Sequence, residues 1–336
     1  MEKVSVMGID LAKNVIEICG QDASGTVVLR RRLPRGKLLG FLANRLPCLI
    51  GMEACGGAYH WAREIGALGH SVRLIPAQYV KGYAQGNKTD RNDALAICEA
   101  VQRPRVPEVA IKTPEQQALQ TYLHTRRQLI DQRTALSNAM RGYLQEFGRV
   151  TRRGVPALRA LVAATLGDDS LPAVLREALQ IQWTQYLSLC ESIDHMDRRI
   201  RELAHRDAAA VKLMKVPGVG EITAVATLAS VGDAHAFRSG RQMAASLGIV
   251  PKQHSSGDSR RLQGISKRGD VYLRTLIIHG ARSALKSTRP DRQVQWAKKL
   301  ERRIGTNKAT VALANKTARI LWRLMVADVN YRAQAA

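Results

Sequence analysis

Short apolar runs and helical segments alternate along the first hundred residues, and their order restricts the possible folds more than any other feature of the chain. Strand patterns occupy residues 4–9, 14–19, 26–33, 48–52 and 71–75, and helical patterns occupy residues 36–45, 58–68 and 93–101. Three successive strands followed by alternating helices and strands predict an α/β sheet that begins with a hairpin meander. We therefore expect an α/β domain over residues 1–110.

Four acidic residues lie where these segments begin or end. Asp10 follows the first apolar run, and Glu53 closes the run at 48–52 directly before a Gly-Gly turn. Asp90 and Asp93 stand three residues apart at the head of the last helical segment, a spacing that puts two side chains on one helical face. Strand ends and helix starts bring distant residues together, so we expect these four carboxylates to converge.

Converging carboxylates indicate a site for a divalent metal. Mg²⁺ prefers hard oxygen ligands, and paired metals clamp the attacking and leaving oxygens of a phosphoryl transfer, so nucleic-acid cleavage is the natural use. Taken alone, an Asp at a helix start is more often a cap that stabilises by about 1 kcal/mol. The set of four, in an element order that resembles ribonuclease H-like sheets, favours the metal site.

The charge of the chain favours a nucleic-acid partner. The 52 Lys and Arg residues exceed the 28 Asp and Glu residues, and the net charge is +24. Residues 207–336 hold 23 of the basic residues but only 8 of the acidic ones. The last third is thus expected to provide most of the basic surface that contacts nucleic acid, although a basic surface can also serve solubility alone.

Cysteine spacing and hydropathy argue against a zinc-binding, a secreted or a membrane-spanning protein. The five cysteines show no zinc-ligand spacing and no signal peptide is present, so we expect reduced thiols in a cytosolic protein. No run approaches 18 uninterrupted apolar residues, so we expect no membrane span.

The middle of the chain, residues 111–208, is predicted to be a long helical hairpin. Apolar residues recur at helical spacing after the start signal at 113–115, and the pattern resumes at 175–203 after a break with Gly and Pro at 154–172. Two long antiparallel helices follow from this pattern. They form either a plain intramolecular hairpin or an arm that pairs with another subunit, and apolar spacing does not separate the two.

Residues 209–336 are predicted to form a mainly helical C-terminal domain that begins with a Pro-Gly-Val-Gly turn at 217–220. This turn, between helical segments, looks like a helix-hairpin-helix element, in which Gly218 and Gly220 let backbone N–H groups approach a phosphate. Such an element binds the DNA backbone without reading sequence. A tight structural turn is the competing interpretation.

The segment 248–269 shows no apolar periodicity and is predicted to be a polar, cation-rich loop. A hydroxyl in it could attack a phosphodiester whose charge the cations offset, and Ser255, Ser256 and Ser259 are equivalent on this reasoning. A flexible polar loop without function is the alternative. The residues expected to contact nucleic acid are Lys88, Arg91, Lys215, Gly218, Gly220, Lys252, Arg260, Arg261, Lys267 and Arg268.

Five motifs, in order along nearly the whole chain, resemble those of the DEDD transposases of the insertion sequence one-ten family and of the related pilin-gene DNA invertases. They are Gly-Ile-Asp-Leu-Ala-Lys at 8–13, Met-Glu-Ala-Cys-Gly at 52–56, Asn-Lys-Thr-Asp-Arg-Asn-Asp-Ala at 87–94, Pro-Gly-Val-Gly at 217–220 and Ser-Ser-Gly at 255–257. Spacing and short insertions look closer to the eleven-eleven subgroup.

The resemblance implies a RuvC-like domain, a coiled-coil arm used for dimerisation and a C-terminal transposase domain, assembled as a tetramer that is a dimer of dimers. It also implies a structured noncoding RNA, the bridge or seeker RNA, that pairs with donor and target DNA in the bacterial cytosol and nucleoid. Aligning the Ser-Gly of the C-terminal segment puts the family's nucleophilic serine at Ser256, with Ser255 as the neighbouring alternative.

Together these features imply a mechanism with two groups of residues. Asp10, Glu53, Asp90 and Asp93 would hold Mg²⁺, with Mn²⁺ as the alternative ion, while Ser256 attacks the scissile phosphate and leaves a covalent protein–DNA phosphoester. The serine and the carboxylates lie in different predicted domains, so the site would be composite, within one subunit or between two.

Three other functions compete with this one. A tyrosine recombinase would use His279, Arg282 and Tyr331, but it leaves the four acids unexplained. A water-using, structure-specific nuclease explains the acids and assigns no role to the serine segment. A basic, non-enzymatic nucleic-acid-binding protein treats the acids as caps, and metal-dependent strand transfer separates it from both enzymes.

Overall fold

A computed structural model describes residues 4–87, 89–256, 259–288, 290–327 and 329–333, without the side chain of Arg260. The chain divides into two compact units. The first comprises Met1–Pro114 with Val231–Arg238, and the second comprises Glu115–Ser230 with Ser239–Ala336. The division of the chain at residues 110 and 208 into three domains stays a prediction.

The first unit contains a five-stranded mixed sheet, as the sequence predicted. Its strands are β1 (Val6–Leu11), β2 (Val15–Gln21), β3 (Val27–Pro34), β4 (Leu49–Glu53) and β5 (Ser71–Ile75), in the order β3-β2-β1-β4-β5. Strands β1, β2 and β3 form the antiparallel meander, and β4 and β5 add to β1 in parallel. The α/β class of this part of the chain is confirmed.

Four helices accompany the sheet: α1 (Leu38–Ala43), α2 (Ala58–Ala67), α3 (Ala77–Val80) and α4 (Asp90–Val101). The sequence analysis did not find α3, which has a single turn, and it started α4 at residue 93. Helix α4 begins three residues earlier because Thr89 caps it: the Thr89 Oγ1 atom accepts a hydrogen bond from the Asn92 backbone N–H at 3.2 Å.

The two faces of the sheet bury different partners because side chains alternate along each strand. Large apolar residues of one face, such as Ile9, Ile50 and Met52, pack with α1 and α2 in the main core of this unit. On the other face lie Gly8 and Gly51, over which α4 packs. A Cβ atom on Gly8 would lie 2.2 Å from the carbonyl oxygen of Ala94, so the backbone of α4 rests directly on the sheet.

The second unit is mainly helical, and two of its helices are long. Its helices are α5 (Pro114–Glu146), α6 (Val155–Leu166), α7 (Ala173–Arg206), α8 (Ala208–Met214), α9 (Glu221–Val231), α10 (Gly240–Ser246), α11 (Val271–Lys286), α12 (Arg292–Ile304) and α13 (Thr306–Val326). Within the described part of the chain, no helix combines the length and apolar character needed to cross a membrane.

Helices α5 and α7 pack in opposite directions. Residues late in α5, such as Met140, share an apolar cluster with residues early in α7, such as Leu179, whereas Arg126 near the start of α5 pairs with Asp197 near the end of α7. The sequence predicted only a break at 154–172, and the structure places α6 there, behind Gly154 with its φ of 116°. Pairing of this hairpin with a second subunit stays a prediction.

The segment 248–269 is a β-hairpin and not the loop that the sequence predicted. Strands β6 (Pro251–Ser256) and β7 (Ser259–Ile265) pair antiparallel. Every residue of β6 is exposed, so the strand buries no apolar face and lacks the alternation from which strands are recognised. Backbone pairing, and not burial, defines this hairpin.

We predict that Gly8→Ala destabilises the first unit, because the new methyl group would overlap the backbone of α4. Overpacking of this kind typically lowers the free energy of unfolding by about 1–3 kcal/mol. Urea denaturation followed by circular dichroism measures the change. The matched control is Gly66→Ala in α2, where a Cβ meets no heavy atom within 4 Å, and which should be neutral or stabilising. Equal stability of both variants would contradict this packing.

Candidate active site

Charged side chains form a row across the sheet on the face that α4 covers. In the strand register, Asp10 of β1 pairs with Glu17 of β2, and Glu17 pairs with Arg32 of β3. The parallel register of β1 and β4 places Glu53 next to Asp10. Residues paired in register share a face, so these four side chains lie side by side on the face of Gly8.

Helix α4 brings Asp90 and Asp93 to the same place. Both lie in its first turn, and the cap is supplied by Thr89, so neither aspartate is needed as the capping residue. Burial, and then the negative charges of Asp93, Asp90, Glu53 and Glu17, raise the pKa of Asp10 to about 6. Glu53, Asp90 and Asp93 are therefore within electrostatic reach of Asp10.

The carboxylates do not form a finished metal site. Among residues 4–87, 89–256, 259–288, 290–327 and 329–333, no three His, Cys, Asp or Glu side chains are arranged to hold a metal ion. Mutual repulsion keeps like charges apart until a cation offsets it. Side-chain reorientation would be needed for the four to share one ion.

An arginine-lined cleft of about 300 Å³ adjoins the carboxylate row. It is lined by Glu17, three consecutive arginines of the edge strand β3 (Arg30, Arg31 and Arg32), and the predicted residue Arg91. Arg32 pairs with Glu17 at 3.3 Å. Glu17 and the three arginines of β3 were not predicted from the sequence, because only the register of β1, β2 and β3 places Glu17 and Arg32 in line with Asp10.

The two candidate serines lie at the end of β6. Both are exposed, and Ser256 pairs with Ser259, the first residue of β7. The Ser255 Oγ atom accepts a hydrogen bond from Gln253 Nε2 at 2.9 Å. Ser255 and Ser256 point to opposite faces of the hairpin, as neighbours in a strand do.

Ser256 shares its face of the hairpin with a histidine and an arginine. His254 lies two residues before it on β6, and His254 pairs in register with Arg261 of β7. The sequence analysis missed His254 because a two-residue spacing has meaning only once the segment is known to be a strand. A hydroxyl, a titratable imidazole and a guanidinium on one face form a set suited to nucleophilic attack on a phosphate.

Gly218 has a packing role. Its φ is 82°, and a Cβ atom on it would lie 2.3 Å from the carbonyl oxygen of Gly280 in α11. A Cβ atom on Gly220 would meet no heavy atom within 4 Å. In the first turn of α9, the Glu221 Oε1 atom lies 3.6 Å from the His205 Nε2 atom. Close packing of the turn on α11 thus accounts for Gly218, and phosphate binding at this turn stays a prediction.

The other predicted nucleic-acid contacts are mostly exposed cations. Arg91, Lys215, Lys252, Arg261, Lys267 and Arg268 are exposed. Lys88 and the side chain of Arg260 lie outside the described residues. Exposure leaves these side chains free to reach phosphates, and their role stays a prediction.

Tyr331 is poorly suited to act as a nucleophile. Its hydroxyl donates a hydrogen bond to the buried Asp291 Oδ2 at 2.6 Å, and burial together with this carboxylate raises the pKa of Tyr331. His279 is exposed on α11. The structure therefore gives no support to the tyrosine recombinase interpretation.

Two family models match the chain. A DEDD-type IS110 transposase model matches residues 7–148, and the transposase model for IS116, IS110 and IS902 matches residues 210–297. A probable family 20 transposase of Pseudomonas aeruginosa is 46% identical over 98% of this chain and 99% of its own length. The chain belongs to the IS116/IS110/IS902 family of transposases.

Further relatives refine this assignment. The transposase for insertion sequence element IS1111A of Coxiella burnetii is 41% identical over all of this chain and 93% of its own length, in agreement with the expected subgroup. A pilin gene-inverting protein of Moraxella bovis is 26% identical over 65% of this chain. The chain is thus a transposase, an enzyme whose substrate is DNA, and DEDD transposases in general depend on a divalent metal.

We predict that Asp10→Asn stabilises the metal-free protein, because it removes a half-buried charge from among like charges. The folded-state pKa of Asp10 lies above its ordinary value, so its ionisation costs stability above about pH 6 and costs nothing below about pH 4. After allowance for solvent screening, the gain at pH 7.5 is about 1 kcal/mol.

Urea denaturation with EDTA at pH 7.5 and at pH 4 measures this gain. It should be present at the higher pH and absent at the lower one. Glu64→Gln, in a side chain that lies on α2 and outside the carboxylate row, is the control. Loss of stability at pH 7.5 in Asp10→Asn would show that the Asp10 charge is offset in the folded protein.

Proposed function

We propose that this transposase is an RNA-guided, site-specific recombinase of an insertion sequence, which cuts and rejoins DNA through a serine–DNA phosphoester. One observation carries the proposal: a row of carboxylates around Asp10 in one unit and an exposed Ser256 beside His254 and Arg261 in the other. A water-using nuclease would need only the carboxylates.

The donor set fits a hard divalent cation. Asp10, Glu53, Asp90 and Asp93 offer carboxylate oxygens. Burial and then neighbouring negative charges raise the pKa of Asp10, and a cation would offset those charges. These four residues would hold Mg²⁺, with Mn²⁺ as the alternative. When bound, the ion stabilises charge on the oxygens of the scissile phosphate.

The hairpin residues perform the covalent step. Ser256 Oγ forms a bond to phosphorus as the bond from phosphorus to one sugar oxygen breaks, and the phosphoester so formed conserves the bond for rejoining. His254 accepts the serine proton, and that proton is then available to the departing sugar oxygen. Arg261 offsets the negative charge of the pentacovalent phosphate.

The partners of the reaction are donor and target DNA, a structured guide RNA and further copies of the chain. The net charge of +24 supports polyanionic partners, and no base-reading helix is evident in the sequence, which favours guidance by RNA. Exposed apolar side chains on the α5–α7 hairpin, including Tyr143, Phe147 and Ile181, support its use as a dimerisation arm of a tetramer.

We predict that Ser256→Ala abolishes recombination and leaves DNA binding unchanged. The substitution removes only an exposed hydroxyl, whereas binding draws on many distributed cations. Recombination is scored on a plasmid reporter and binding by fluorescence anisotropy. Ser255→Ala and Ser259→Ala are the matched controls and should keep recombination. Recombination by Ser256→Ala at the level of its controls would eliminate the serine from the reaction.

We also predict that site choice requires RNA. Protein freed of RNA should bind DNA without site preference, with an affinity that falls steeply as salt rises, and recombination should return when co-purified RNA is added back. An unrelated structured RNA of equal length is the control. Site-specific recombination by RNA-free protein would contradict the proposed guidance by RNA.

A further inference from the structure

Helix α13 presents a line of cations to solvent. Lys308, Lys316, Arg319 and Arg323 follow one another at spacings of eight, three and four residues, which keeps them on one helical face. The opposite face, with residues such as Leu321, is buried in the second unit. The cationic line extends for about 22 Å at 1.5 Å per residue.

Two adjoining clefts run along this face and share Lys316 and Arg319, so they form one groove. The first cleft, of about 520 Å³, lies against the start of α10 and is lined by Arg241, Arg319 and Arg323. The second, of about 490 Å³, extends past Lys308. Together the two clefts extend along α13 from Lys308 to Arg323.

The cations of the groove form no close ion pair with a carboxylate of the described residues. Within the part of the chain that the structure describes, Arg241, Lys308, Lys316, Arg319 and Arg323 form no ion pair within 4 Å. Burial and the nearby charges of other cations, Arg319 among them, lower the pKa of Lys316. The Asp291 carboxylate offsets this positive charge only in part, and a net positive charge of this density is suited to a polyanion.

The groove also contains an aromatic platform. Trp296 of α12 lines it and is partly exposed, and the Lys316 Nζ atom lies over its ring at 4.3 Å from the centroid. Aromatic rings beside cations in a positively charged groove are the usual lining of sites for nucleic-acid strands.

One end of the groove meets the base of the hairpin formed by β6 and β7, which carries Ser256 and is called the serine hairpin below. Pro251, the first residue of β6, and Ile265, the last of β7, line the second cleft together with Ile249. The Asn315 Nδ2 atom of α13 donates a hydrogen bond to the Ile249 carbonyl oxygen at 3.1 Å, which ties the groove to the hairpin. Ser256 lies five residues along β6 from Pro251, about 17 Å away at 3.4 Å per residue.

We propose that this groove is a DNA-binding site that holds the backbone of the strand leading to the serine hairpin. Its cationic line matches the length of about six nucleotides of one strand at 3.4 Å each. DNA is the expected occupant because the groove continues into the hairpin whose serine acts on DNA. The inference rests on the proposed function and adds to it a specific binding surface.

The test is a triple variant, Lys316→Gln with Arg319→Gln and Arg323→Gln, compared with the wild type in RNA-free form. Each glutamine is helix-compatible, and the side chains of Arg319 and Arg323 are exposed, so the fold should persist. The control triple is Arg152→Gln with Arg153→Gln and Arg159→Gln, which neutralises three exposed arginines outside the groove. Affinity for labelled duplex DNA and for structured RNA is measured from 50 to 300 mM salt.

The groove triple should weaken DNA binding about tenfold or more near 0.1 M salt. It should also lower the slope of log K against log salt by about 2 to 3, because each phosphate that the protein no longer neutralises takes about 0.9 from that slope. Each of the single variants Arg319→Gln and Arg323→Gln should lower the slope by about 1. The control triple should change DNA binding much less.

Wild-type DNA affinity and slope in the groove triple would overturn the inference, and so would a loss of RNA binding with DNA binding retained. Formation of the protein–DNA adduct by the wild type is scored in parallel. Weakened DNA binding by the groove triple, with no adduct under any condition, would refute the serine mechanism and leave the groove in place.

Discussion

The contact between helix α4 and the glycines of the sheet is the constraint on which the rest of the first unit depends. Gly8 and Gly51 have no side chain, so the backbone of α4 lies directly on β1 at Gly8, and the Val101 side chain of α4 packs on β4 at Gly51. That approach places the first turn of the helix, with Asp90 and Asp93, over the end of the strand that carries Asp10. A methyl group at Gly8 would lift the helix and separate the carboxylates of the proposed metal site.

The carboxylate cluster lowers the stability of the folded protein, and this cost is consistent with the proposed metal site. Burial and four neighbouring negative charges raise the pKa of Asp10, which means that its ionised form is disfavoured in the folded protein. Capping does not account for the acids of α4, since Thr89 makes that bond. Ionisable groups with strongly shifted pKa values are typical of sites that bind a cation or a substrate.

Local patterns in the sequence predicted the parts of the structure that depend on near neighbours. Strand ends and the i, i+3 spacing located Asp10, Glu53, Asp90 and Asp93, because these signals need no knowledge of tertiary structure. Glu17 and Arg32 were missed, since only the register of three strands puts them in line with Asp10. The cations of α13 could have been identified from the sequence, because they recur at the same helical spacing that located the long helices.

The serine hairpin shows why other parts of the structure could not be predicted from the sequence. Every residue of β6 is exposed, so no apolar alternation marks this strand, and the role proposed for His254 follows only from the strand geometry. The same hairpin joins the two proposals, since its tip carries Ser256 and its base closes the groove along α13. Under both proposals, one short pair of strands would take part in the chemistry and in DNA binding by the second unit.

The most direct measurement is peptide mapping of protein trapped on a nicked DNA substrate in the presence of Mg²⁺ and guide RNA. Trypsin cuts after Lys252 and Arg260, which isolates residues 253–260 with Ser255, Ser256 and Ser259 in one peptide. Fragmentation of this peptide should place the nucleotide remnant on Ser256. A remnant on Ser255, or on the peptide that contains Tyr331, or active protein that never yields a DNA-linked peptide, would contradict the account.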